Sequence, residues 1–333
     1  VLTILVDFND AVVDTGTGNG INLQQAKDRM FNETKSVAGW YYNASLGTLT
    51  IPDDPDGDGF QDVFGPYQID DNYGGTSSDC TPSTWVNKAR AAWQTANPGK
   101  DINLYRHTLL IVPNYWDYKP TQQEGSPFKL TRACTWGGVA QLGCGTSCWA
   151  IGADARSIFH GVLAHELGHN FSLHHASTDT NNDGTQESEY GDTSDTMGSS
   201  RAWMKFNAAH ADDKDWIDPA DYEFRTIVAS SSAQNFDLLA LDEEAWVWPG
   251  LRALKVKRTD TSDYYLSYRL PAGDYNNVNT DYRNKLNIHY GTSSTKSYFV
   301  TALTAGQTYN DPHNNLIITA TGETDITVGG LST

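Results

Sequence analysis

The stretch "HELGHNFSLHH", residues 165–175, concentrates the side chains best suited to metal chemistry. His165 and His169 are four residues apart, so on a helix they stand about 40° apart on one face. Both imidazoles then reach a single ion at ~2.0–2.1 Å, the usual zinc–nitrogen bond length. Glu166 lies beside the first of them, placed to reach a water on that ion without binding the ion itself. Zinc lowers the pKa of such a water towards ~7, and the glutamate can take its proton. The chemistry expected is attack on a polarised carbonyl, most naturally a peptide bond. The competing reading is a pair of ordinary histidines on an amphipathic helix, because so short a pattern also arises by chance.

A catalytic zinc needs a third protein ligand and an open position. On an unbroken helix His174 and His175 would lie about 7.5 Å and about 9 Å further along the axis than His169. Two nitrogens on one zinc are at most roughly 4 Å apart. The helix must therefore break between residues 170 and 174 for either histidine to serve.

With this spacing the segment resembles the elongated zinc motif of the metzincin metalloproteases. The resemblance implies His175 as the third ligand, with Ser172 standing where that motif has its turn glycine. A serine in the left-handed region costs roughly 1–2 kcal/mol, little beside the ~10 kcal/mol or more available from zinc binding. Downstream, "YGDTSDTMG" at 190–198 resembles the Met-turn, which implies that Met197 packs beneath the histidines. "VLTILVDF", "SVAGWYYNASLGTLTI", "FNAAHADDKDWI" and "YYLSYR" extend the likeness, and the family they resemble is the gametolysin-type metzincins. What this implies is a zinc endopeptidase whose helix near Phe206 to Trp216 borders the substrate pocket. It also implies that Gly137, Gly138, Val139 and Ala140 form a sheet edge holding substrate by main-chain pairing; a disulfide-stapled loop is the alternative. No tyrosine follows Met197 by two residues, so the tyrosine ligand of some metzincin branches is not supported.

Two other readings stay open. Glu189 follows His165 by 24 residues, a spacing similar to that of the glutamate ligand in thermolysin-like enzymes. Alternatively the chain is a non-catalytic, calcium-stabilised adhesion or binding protein on a protease fold, although an intact Glu166 argues against it.

Two acidic loops have calcium-type spacing. In "DDPDGDGFQD", Asp54, Asp56 and Asp58 alternate, Gly59 follows, Phe60 offers a carbonyl and Asp62 stands at the ninth position. Gly65 occupies the twelfth position, so the EF-hand pattern is incomplete. "DTNNDGTQE" repeats the spacing with Asp179, Asn181, Asp183, Thr185 and Glu187.

The elements that must position these residues read as a mixed α/β domain with a mostly parallel sheet, metzincin-like by the resemblance, over residues 1–219. An all-β, sandwich-like domain is expected over 220–333. Strands are expected at 1–8, at "GTLTI" and at "HTLLIVPN". Helices are expected at "LQQAKDRMFNETKSVAGWYYNA", at "STWVNKARAAWQTA" with Ser83 as N-cap, and at "SIFHGVLAHELGHNF".

A net charge of -18, from 41 acidic and 23 basic residues, disfavours nucleic acid and anionic membrane surfaces as partners. The longest apolar runs are strand-length, and the N-terminal "VLTILVDF" reads as a strand rather than a signal peptide. Cys80, Cys134, Cys144 and Cys148 permit two disulfides in three connectivities, with Cys144–Cys148 able to close a small loop. Disulfides would place the chain outside the cell, the alternative being four buried thiols in a cytosolic enzyme. The expectation is a secreted, monomeric zinc endopeptidase, with calcium, acting on protein or peptide substrates.

Overall fold

The computed structural model describes residues 1–13, 20–113, 134–153, 159–199, 203–217, 224–228, 232–243, 250–257, 262–271, 277–292, 295–313, 315–322 and 325–330. Residues 114, 157 and 158, at the ends of an expected strand and of the expected zinc helix, lie outside these. The chain divides into two compact units, Val1–Gly39 with Ile51–Ser172 and Trp40–Thr50 with Leu173–Thr333.

In the first unit, β1 (Leu2–Asp7), β2 (Val63–Gln68), β3 (His107–Ile111), β4 (Gly138–Ala140) and β5 (Cys148–Gly152) form one sheet in the order β2-β1-β3-β5-β4. All its pairings are parallel except β4 with β5, so an antiparallel strand closes one edge. β1 and β3 are near-continuous apolar runs, the composition of strands buried on both faces. After α1 (Leu23–Lys27) and the start of α2 (Val37–Ala44), whose residues from Trp40 on belong to the second unit, comes α3 (Pro82–Ala96), which turns Trp85, Val86, Ala89 and Trp93 inward from one face. They join Leu2, Ile4, Leu110 and Ile151 in a core where each buried aliphatic side chain contributes roughly 1.5–3 kcal/mol. α4 (Phe159–Asn170) packs on β4 and β5. Disulfides join Cys80 to Cys134 and Cys144 to Cys148. In the chain-entropy picture the first, across 54 residues, stabilises by about 4 kcal/mol.

Several expectations need correction. The helix from residue 23 is interrupted: after a π-turn at Asp28–Asn32 the chain extends at Glu33, and Ser36 restarts it by accepting the Gly39 N–H at 3.1 Å. α3 begins at Pro82, whose fixed φ suits the first helical position, with Thr81 rather than Ser83 as N-cap. "GTLTI" forms no strand, because Ser45 accepts the N–H of Thr48 on its carbonyl and that of Leu49 on its hydroxyl. The place beside β1 goes instead to β2, which its internal Gly-Pro had obscured.

The second unit is dominated by two sheets. β6 (Ala176–Thr178), β7 (Phe224–Val228), β9 (Ala253–Lys257), β10 (Asp263–Arg269), β11 (Lys285–Gly291) and β12 (Ser297–Leu303) pair in the order β6-β12-β11-β10-β9-β7. β8 (Gln234–Asp237), β13 (Thr308–Asn310), β14 (Leu316–Ala320) and β15 (Asp325–Gly330) pair as β13-β14-β15-β8. A single core, including Leu254, Leu266, Ile288, Ile318 and Val328, draws on both sheets. Trp40 belongs to this unit; its indole N–H donates to the Met204 carbonyl at 3.2 Å and its ring packs edge-on against Phe206. The helix expected near 206–216 is α5 (Ala208–Asp213), capped by Asn207.

Candidate metal centre

α4 carries His165, Glu166 and His169 and stops at Asn170, for reasons visible in its last turn. The Phe171 N–H bonds back to Leu167 and Gly168, while Ser172 and Gly143 both donate to the His169 carbonyl, at 2.9 Å and 2.7 Å. Carbonyls that a helix end leaves unpaired are thus partly satisfied from outside the helix. Ser172 has φ 69°, the left-handed value that a turn glycine supplies more cheaply, so the chain breaks there despite the side chain. Asn170 anchors the helix end to the sheet: its amide donates to the carbonyls of Gln141 and Trp149, each at 2.9 Å. With that amide committed, its Oδ1 accepts from His107 Nδ1 at 3.3 Å.

Within the segment 165–175, the ring nitrogens of His165, His169 and His175 come within 4.8 Å of one another, and His174 is not part of the group. The rings of His165 and His169 meet nearly edge-on, their centroids 4.9 Å apart. Three neutral imidazoles form a nitrogen set suited to zinc, which binds such ligands at ~2.0–2.1 Å. The donor set therefore fits the ion.

His175 is oriented by Glu189, whose Oε1 lies 2.8 Å from Nδ1. A carboxylate only accepts, so Nδ1 carries the hydrogen and Nε2 keeps its lone pair, the tautomer a metal ligand requires. The Tyr190 ring lies against the same imidazole, with centroids 3.9 Å apart. His174 donates its N–H to the Thr295 carbonyl at 3.2 Å, and β6 then pairs in parallel with β12.

Glu166 is only 6 % exposed, and burial pushes its carboxyl up to about 8. Gly138 explains part of that enclosure. A Cβ there would lie 2.7 Å from the Glu166 Cγ and 2.8 Å from its Cδ, so only glycine lets β4 approach so closely. Gly138, Val139 and Ala140 form β4, an edge strand of the sheet, and Gly137 immediately precedes it. Gly138→Ala is accordingly expected to displace the carboxylate and lower kcat/KM on the order of 10²-fold, with metal content unchanged. Kinetics identical to wild type would remove this strand from the site.

Met197 is fully buried, and its N–H donates to Asp195 Oδ1 at 2.6 Å. The other Asp195 oxygen faces His210 Nδ1 at 3.0 Å and accepts the Asn207 N–H at 2.6 Å. Asp192 meets His289 Nε2 at 2.9 Å and the Asn207 amide at 3.1 Å. Burial alone would raise Asp192, but the His289 ring and the Ser194 hydroxyl hold it below the ordinary carboxylate range. Sequence reasoning missed Asp192, Asp195, Asn207, His210 and His289. The first four lie in quoted motifs, yet only a contact across 97 residues reveals the role of His289.

The two acidic loops share one backbone arrangement and differ in the side chains gathered inside it. Oxygens of Asp54, Asp56 and Asp58 gather within 4.8 Å. In the second loop the backbone winds in the same way, with the Asp183 and Gly184 N–H donating to Asp179 at 3.1 Å and 2.9 Å, while Glu187 accepts from Thr180 at 3.0 Å and 2.8 Å and Asp179 also accepts from the Tyr290 hydroxyl at 2.5 Å. Asn181 and Thr185 are tied to Asp183, by Nδ2 to Oδ2 at 3.2 Å and by N–H to Oδ1 at 2.8 Å.

The sequence model of the family described as gametolysin peptidase M11 matches residues 126–307, more than half of the 333-residue chain. The chain belongs to the gametolysin peptidase M11 family. No curated protein and no solved structure matches it. Membership supports a metallopeptidase acting on protein or peptide substrates. The matched span of this M11 peptidase includes the three histidines, Glu166, Met197 and the buried Asp192–His289 pair. Among the described residues no helix is long and apolar enough to cross a membrane.

Proposed function

We propose that this chain is a secreted, zinc-dependent endopeptidase of the metzincin type, with a catalytic part over residues 1–219 and a sandwich-like β domain over 220–333. The observation that carries the reading is the convergence of His165, His169 and His175 beside a buried Glu166. Two disulfides support an oxidising, extracellular setting.

When bound to the three histidines, zinc supplies Lewis acidity that polarises the scissile carbonyl and acidifies the attacking water. The rest falls to the chain's own residues. An extended substrate pairs by its main chain with Gly138–Ala140, the edge strand of the sheet among the described residues, which sets the peptide beside Glu166. Glu166 accepts the proton of the water as the carbon–oxygen bond forms, and passes it to the departing amine nitrogen as the carbon–nitrogen bond breaks. Enclosure by β4 favours the protonated carboxyl, which suits the delivery step. Glu189 fixes the His175 tautomer, and the Asp195 bonds to Met197 and Asn207 hold the turn below.

Casein hydrolysis by the purified chain tests this. Activity is expected to vanish with a zinc chelator and to return on adding zinc. Hydrolysis that persists unchanged in chelator would end the metal-dependent reading, and no hydrolysis under any condition would favour a binding protein on a protease fold.

A further inference from the structure

The Asp54–Asp62 loop carries charge that peptide cleavage does not use. Its backbone is wound around its own carboxylates: the Asp58 N–H donates to Asp54 Oδ1 at 3.1 Å and to Asp56 Oδ1 at 3.3 Å, and the Gly59 N–H to Asp54 Oδ2 at 2.9 Å. Into this cluster reaches the ammonium of Lys100. Its Nζ lies 2.5 Å from Asp56 Oδ2, 2.6 Å from Asp58 Oδ2 and 3.8 Å from Asp62 Oδ1. The Tyr105 hydroxyl donates to Asp56 Oδ2 at 3.2 Å.

Asp62 is the independent observation. Its side chain is fully buried, yet neither carboxylate oxygen accepts a hydrogen bond. Its Oδ1 faces the ammonium at the centre of the cluster, too far for a hydrogen bond. Burial pushes this carboxyl up to about 6. A buried, unsatisfied carboxylate is costly, and a bound cation relieves it.

Charge and ligand number say which cation. Asp56, Asp58 and Asp62 face the Lys100 ammonium, which carries a single charge and three donors, while Asp54 lies beside Asp56 and Asp58 and the N-terminal ammonium of Val1 acts on Asp62. Calcium takes 6–8 oxygens at roughly 2.3–2.6 Å in flexible geometry, whereas magnesium demands a tight octahedron and keeps its waters. Asp54, Asp56, Asp58 and Asp62, with the Phe60 carbonyl at the seventh position, supply most of a calcium shell. Lys100 also lines a cavity of about 440 Å³ with Lys27, Gln61, Tyr67 and Asn97, so its side chain has somewhere to go.

We propose that this loop is a calcium site in which the Lys100 ammonium holds the ion's place in the calcium-free protein and swings into the adjoining cavity when calcium binds. The inference does not depend on the peptidase reading, and its test measures ion binding rather than hydrolysis.

Terbium, a luminescent substitute for calcium, is titrated into the full chain with calcium as competitor, keeping the second acidic loop intact in every variant. Saturable emission that calcium displaces is expected. Asp58→Asn and Asp62→Asn should each weaken the affinity about tenfold, and Lys100→Met and Lys100→Gln should each tighten it about tenfold, through the change in ligand and competing charge. Thermal midpoints without calcium establish that each variant is folded. Affinity unchanged by the Asp58 and Asp62 substitutions would overturn the site. Affinity unchanged or weakened in both Lys100 variants would overturn the displacement.

Discussion

Glu166→Gln is expected to leave zinc content at the wild-type level while lowering kcat/KM on casein by about 10²–10⁴-fold, the usual contribution of a positioned general acid–base. The substitution is nearly isosteric, so the close approach of Gly138 and the packing of α4 on β4 are retained. What is lost is a group that can take a proton and return it. An amide does neither, and both proton transfers of peptide hydrolysis fail together. Zinc content and thermal midpoint act as the internal control, since a merely structural role for this buried carboxyl would move the midpoint. Wild-type hydrolysis by Glu166→Gln, with zinc bound, would sink the proposed mechanism.

The second large effect is on metal retention. His175→Ala is expected to abolish stoichiometric zinc binding, because two nitrogens four residues apart on a helix cannot close a tetrahedral site alone. Glu189→Gln should only weaken it, by about 10–100-fold, the usual cost of losing the partner that orients a ligating histidine. The asymmetry follows from the 2.8 Å contact between Glu189 Oε1 and His175 Nδ1, and from Glu189 being more than half exposed. Zinc content after dialysis against graded chelator measures both variants. The reverse order, with Glu189→Gln losing the metal and His175→Ala keeping it, would make Glu189 the ligand and His175 a bystander.

Much of the first unit could be read along the chain. β1, α3 and α4 are local patterns, either continuous apolar runs or one apolar helical face, and each formed close to where its pattern lies. "GTLTI" carried a strand composition that Ser45 overrode with two local hydrogen bonds. β2 was hidden because its middle residues, Gly65 and Pro66, argue against a strand, and only its edge position beside β1 admits them. Such choices depend on which segment wins a place in the sheet, and propensity does not decide that.

The site divides in the same way. The amino-acid sequence by itself put His165, Glu166 and His169 on one helix, since four residues make about one turn wherever a helix forms. It also required a break before His174 for any downstream histidine to serve, from axial rise alone. Only the tertiary structure decided how that break is made: Ser172 adopts φ 69° while Gly143, from another loop, caps the His169 carbonyl. Tertiary structure likewise joined Asp192 to His289 and brought Lys100 among the aspartates of the first acidic loop. These partners are 97 and more than 40 residues apart, and strand register and core packing bring them together. Local spacing sets which side chains share a helix face; long-range packing sets what meets them there.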